Sequence, residues 1–221
     1  MENYRIFDSE LDKLAHKVIQ MCSQVNLQLI NVVLALRTSD LKLARKVINN
    51  DELINSLDVK IDKLCQKIFA LQQPVATDLR YIISSLKINN DLERVGDHVT
   101  NIAKRIEPLQ DYKSLVEELG IYEIGQKTAE IFSKVVELVK SHELTIAETI
   151  MEEAEALKDE CKLIAAKVLE EMMHQSEVVV VATNLLVIIN IFERISSYSI
   201  NIAESITFVV NGEIVKHRKQ N

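Results

Sequence analysis

A chain of 221 residues that is 48% apolar has the material for a continuous core. Its four Gly and two Pro are too few for the hairpin turns of a sheet protein. Its net charge of −7, with no Trp, excludes the basic, base-stacking surface of a nucleic-acid-binding domain.

Residues Met1–Phe7 lack the basic stretch and apolar run of a signal peptide. From Ile6 onward apolar residues recur every three or four positions (Leu11, Leu14, Val18, Met21, Val25), which predicts a helix over about 6–37. Thr38, Ser39 and Asp40 offer N-cap side chains for a second helix over 39–70. Pro74 ends that helix and suits the first turn of a third, over 75–107. Pro108 closes the third, and the stretch to Gly120 reads as the one sizeable linker. Further helices are expected over 115–142, 144–173 and 176–211, the last capped by Gly212. The run Val178–Ile191 is too short to cross a bilayer and contains Asn184 and Asn190, so it reads as a buried core helix. Any membrane association would run through a partner. Lys216, His217, Arg218 and Lys219 form a short basic tail, read as a solvated helix end offsetting the macrodipole. Cys22, Cys65 and Cys161 suggest neither a disulfide framework nor a CxxC metal pair, and they fit a reducing cytoplasm.

An internal repeat is visible at an offset of one hundred residues. Leu92–Ile106 reads LERVGDHVTNIAKRI and Phe192–Ile206 reads FERISSYSINIAESI, pairing Glu93 with Glu193, Arg94 with Arg194 and Asn101 with Asn201. The expected fold is all-α: two tandem three-helix bundles, residues 1–108 and 115–221, related by internal pseudo-two-fold symmetry.

Glu93, Asp97 and Asn101 lie four residues apart along one face of the third helix, with Asn90 joining them. Carboxylates so placed repel unless a cation lies between them. Two readings stay open: a hard cation held by oxygen ligands, or a solvated face neutralised by basic residues nearby. A di-iron enzyme needs two Glu-x-x-His pairs, and only Glu171-x-x-His174 occurs, at a helix end. His98 turns off the acidic face and reads as a surface or interface histidine. No Gly-rich phosphate loop and no Ser/His/Asp or Cys/His arrangement is present.

The segment LQQPVATDLRYIISSLKINNDLERVGDHVTNIAKRI, Leu71–Ile106, resembles the hallmark segment of the PhoU family of phosphate-uptake regulators, in its QQP break, DLR triplet and LERxGDxxxNIA run. VINNDELINSLDVKID, just before it, resembles the family's preceding helix. The resemblance implies two three-helix bundles, a homodimer, and a cytoplasmic role in repressing phosphate-starvation responses. As partners it implies the ATPase subunit of a phosphate ABC transporter and a sensor histidine kinase. It also implies metal on the acidic faces, a divalent or trivalent ion such as iron, zinc, magnesium or manganese. The family's motif falls on Glu93 and Asp97, and its helix-two acidic positions fall on Asp51 and Asn55. In the second copy Glu193 is kept, but Ser197 stands for Asp97 and Ser196 for Gly96, so a weaker second site is expected. Glu152, Glu153 and Glu155 on the fifth helix are candidates to compensate for the missing carboxylate. The expected function is thus a non-enzymatic negative regulator of phosphate uptake; the alternatives are a metal-dependent, di-iron-like enzyme and a metal-free scaffold.

Overall fold

The computed structural model describes residues 2–72, 74 and 76–212, and all its regular elements are helical. In chain order they are α1 (Glu2–Thr38), α2 (Leu41–Asn49), α3 (Asp51–Gln72), α4 (Ala76–Ala103), α5 (Lys113–Glu118), α6 (Ile121–Ser141), α7 (Leu144–His174) and α8 (Val179–Asn211). The basic tail Lys216–Lys219 lies outside the described residues.

The punctuation follows local chemistry. The Asp40 carboxylate accepts hydrogen bonds from the backbone of Lys42 (2.9 Å) and Leu43 (3.0 Å), capping α2. At the far end Gly212 adopts φ 70°, and its N–H donates to the Phe208 carbonyl at 3.0 Å. That left-handed cap suits a residue without a Cβ.

Three expectations change. Pro74 lies between α3 and α4, outside α4's first turn. The supposed linker is helical, a 3₁₀ turn over Glu107–Tyr112 running into α5 and pinned by buried Leu109, Val116 and Leu119. The helix expected over 39–70 is two helices meeting at Asn50, whereas its counterpart α7 runs unbroken.

The burial pattern explains that break. α1 and α6 share a register 103 residues apart (Val18 with Ile121, Met21 with Ile124, Leu29 with Phe132), and so do α2 and the start of α7 (Ala44 with Ala147, Val47 with Ile150). Beyond Asn50 the offset is 100: Ile54 with Ala154, Leu57 with Leu157, Ile61 with Cys161, then Leu92 with Phe192 and Ile102 with Ile202. The first unit therefore holds three extra residues between Val47 and Ile54. Three residues are less than one helical turn of 3.6, so a continuous helix would rotate its apolar stripe off the core. Breaking at Asn50 restores the stripe.

α1, α3 and α4 pack on one another, as do α6, α7 and α8; between the units α1 packs on α6 and α4 on α8. The two main inter-unit contacts thus each join an element to its own repeat, as expected for elements that lie next to a two-fold axis. The His98 and Tyr198 rings, one hundred residues apart, meet at 5.8 Å across this seam. Phe7–Thr38 and Ser176–Asn211 are both long and apolar enough to cross a membrane by composition alone. In the folded chain, about half of each apolar stretch is instead buried inside the protein. The second of these is longer than the Val178–Ile191 run suggested.

Candidate functional site on the acidic face of α3 and α4

α4 carries Glu93 and Asp97 one turn apart, beside α3 with Asp51 and Asn55. The Thr100 hydroxyl donates to Asp51 Oδ1 at 3.2 Å, and Asn55 Nδ2 donates to Asp51 Oδ2 at 3.3 Å. Burial pushes the Glu93 carboxyl above its ordinary range, and the charges of Asp97, Asp58 and Asp51 push it further; Arg94 opposes them. Four of the expected residues therefore share one electrostatic neighbourhood.

The other two do not join them. Asn101 is engaged within its own helix, since the Arg105 guanidinium donates to its side-chain oxygen and, at 3.1 Å, to its carbonyl. Glu193 lies on α8, where its charge acts on Cys161 and Lys162. Ser197, in place of a carboxylate, donates to the Glu193 carbonyl at 3.2 Å. Asn90 is exposed, and the residue turned inward is its neighbour Asn89.

Asn89 leads to residues that sequence reasoning missed. It is 1% exposed, and its Nδ2 donates to Asp58 Oδ1 (2.7 Å), Asp62 Oδ1 (3.1 Å) and the Asp58 carbonyl (3.2 Å). Its buried Oδ1 meets no donor among the described residues. Burial and the neighbouring Asp62 raise the Asp58 carboxyl, while the Asn89 hydrogen bond lowers it. The Asp58-x-x-x-Asp62 spacing was visible in the sequence, but its facing α4 depends on how α3 is rotated.

Among the described residues none of Asp51, Asp58, Asp62, Glu93 and Asp97 forms an ion pair. By chemistry this all-oxygen donor set fits a hard cation. The donors are nevertheless strung along the two helices: among the described residues no three His, Cys, Asp or Glu side chains converge as metal ligands.

Cys22, Cys65 and Cys161 are free and buried, and burial pushes each thiol up to about 12, which keeps them un-ionised and inert. Glu171 accepts from Gln175 Nε2 at 3.1 Å beside an exposed His174 at the end of α7. A groove of about 470 Å³ between α1 and α6 has an apolar floor that includes Ile30, Val33 and Ala129, and no His, Cys or Lys lines it.

Residues 18–106 and 121–206 each match the PhoU domain. The chain belongs to the PhoU family. Its two PhoU domains coincide with the two helical units already described. A phosphate-specific transport system accessory protein PhoU homolog of Streptococcus pneumoniae serotype 4 is 29% identical over 209 residues, 95% of this chain and 97% of that protein. The corresponding protein of Xylella fastidiosa strain 9a5c is 30% identical over 214 residues, 96% of this chain and 90% of its own length. The crystal structure of PhoU from Pseudomonas aeruginosa superposes with a TM-score of 0.86 at 28% identity, over 94% of this chain and all of that one. A PhoU crystal structure from Streptococcus pneumoniae gives the same score, over 95% and 99%.

Proposed function

We propose that this PhoU-family chain is a cytoplasmic negative regulator of phosphate uptake and of the phosphate-starvation response. It acts by contact with the ATPase subunit of a phosphate ABC transporter and with a sensor histidine kinase, and works as a homodimer. The observation that carries this reading is the tandem pair of PhoU domains over 18–106 and 121–206, shared along nearly the whole chain with accessory proteins of phosphate-specific transport. The three buried thiols, kept protonated by their surroundings, agree with regulation by contact.

The acidic face of the first unit is its metal-responsive part. Glu93 and Asp97 on α4, with Asp51 and Asn55 on α3, offer oxygen ligands on two helices at once. A hard cation bound there supplies neutralising charge. The residues' own role is to hold side by side carboxylates that form no ion pair among the described residues, at an electrostatic cost that a cation relieves. A metal-free scaffold is the second reading, favoured by the lack of convergence among these carboxylates; metal analysis of the purified chain separates the two.

Deleting the gene and measuring phosphate-uptake transcripts at high phosphate tests the regulatory reading. Transcripts should rise to starvation levels; unchanged transcripts would refute it.

A further inference from the structure

In the second unit the corresponding face carries cations of its own. The 100-residue register of α3 and α7 is fixed by four pairs of buried residues: Ile54/Ala154, Leu57/Leu157, Ile61/Cys161 and Ile68/Val168. In that register Asp58 and Asp62 become Lys158 and Lys162, while Glu93 remains a carboxylate as Glu193. The Lys158 side chain is 18% exposed, and its Nζ donates to Glu155 at 2.9 Å. Lys162 donates to Asp159 at 2.8 Å, and its charge also acts on Glu193 and Glu155.

Two further lysines reach α7 from α6. Lys127 donates to Glu160 at 2.7 Å, and Lys134 pairs with Glu153. Their counterparts in the 103-residue register of α1 are the uncharged Gln24 and Asn31. Glu153, Glu155, Asp159 and Glu160 of α7 are therefore paired with ammonium groups, whereas among the described residues Asp58, Asp62, Glu93 and Asp97 of the first unit form no ion pair.

We propose that the second unit takes no metal ion, because Lys158 and Lys162 bring to its face, from within the chain, the positive charge that a cation would bring. An entering divalent ion would meet two tethered ammonium groups and would have to break their hydrogen bonds to Glu155 and Asp159. It would also find a serine hydroxyl, Ser197, in place of the Asp97 carboxylate. The units are then inequivalent despite their shared fold: one awaits an external cation, and the other is closed by its own. This rests on the reading that the first unit's carboxylates hold a metal.

The test is titration of the full chain with Mn²⁺, reading free Mn²⁺ by its paramagnetic resonance signal at constant ionic strength. Wild-type binding should be lost in Asp51→Asn/Asp97→Asn and unchanged in Glu193→Gln. Adding Lys158→Asp/Lys162→Asp to the Asp51→Asn/Asp97→Asn background should tighten Mn²⁺ binding at least about tenfold over that background, as carboxylates replace ammonium groups. Circular dichroism checks folding, and if the aspartate pair unfolds the chain, Lys158→Gln/Lys162→Gln decides by the same comparison. Loss of wild-type binding in Glu193→Gln, or a folded lysine-free variant binding no better than background, overturns the proposal. A wild-type chain that binds no Mn²⁺ removes the first-unit reading alone, since the lysine variants decide the second unit independently.

Discussion

Gln28 lies at 2% exposure on α1, and neither its amide oxygen nor its nitrogen has a partner among the described residues. The 103-residue register puts Ile131, a buried hydrocarbon, at the same place in α6. A buried amide without hydrogen bonds costs about 1–3 kcal/mol. Gln28→Met, nearly isosteric and apolar, should therefore raise unfolding stability by about 1 kcal/mol in chemical denaturation. Asp58 is a second residue held at a cost. Its folded-state pKa is raised, so the native state binds the proton more tightly than the unfolded chain. The penalty is complete at neutral pH and is relieved as pH falls through the folded pKa. Metal-free Asp58→Asn, which keeps an oxygen for Asn89 and removes the i,i+4 repulsion with Asp62, should be more stable at pH 7 by about 0.5 kcal/mol. Denaturation at stepped pH should show that advantage shrinking toward acid.

Between elements, the clearest difference from one unit to the other is at the α3–α4 crossing. A Cβ on Gly96 would lie 3.0 Å from Ile54 Cδ1 and 3.2 Å from its Cγ2, so the helices meet there with hydrogen against a full side chain. The second unit keeps the sum and changes the terms, with Ser196 on α8 and Ala154 on α7 at the equivalent positions. Gly96→Ser alone should cost about 1–3 kcal/mol by overpacking, and Ile54→Ala alone about 2–5 kcal/mol by cavity formation. The double variant should lose less than the sum by about 1–2 kcal/mol in a double-mutant cycle, because each change relieves the other. Helix existence was legible in the sequence because apolar spacing survives any register. The break at Asn50 was not, since Lys46–Leu53 contains no Gly or Pro and the three-residue excess shows only against the burial of α7. The helical stretch 107–118 was hidden behind Pro108, which reads as a helix end but sits in the first turn of the 3₁₀ segment, while α4 already stops at Ala103. That Glu93, Asp97, Asp51 and Asn55 share one acidic neighbourhood was legible from the resemblance to the PhoU family. Asp58, Asp62 and Asn89 were not, because period alone does not say which of two adjacent asparagines, Asn89 or Asn90, turns toward α3.

At the scale of the molecule, the pseudo-two-fold axis gives both units the same helix packing, and the charges on them then diverge. α4 and α8 meet along the seam where His98 touches Tyr198, so a change in the first unit's acidic face has a packed route to the second. Burial lowers the His98 pKa, and Arg194 across the seam adds to the effect, while the neighbouring Asp97 opposes it. On the proposed function, the carboxylates of Glu93 and Asp97 serve regulation and not folding. Asp97 is exposed, and Asp97→Asn removes charge at nearly constant volume, so helicity and unfolding stability should change by no more than about 0.5 kcal/mol. The direct measurement is the level of phosphate-uptake transcripts at high phosphate in a deletion strain complemented with Asp97→Asn. Repression should be incomplete although the protein is folded, abundant and depleted of metal. Full repression by that same metal-free, folded variant would contradict it.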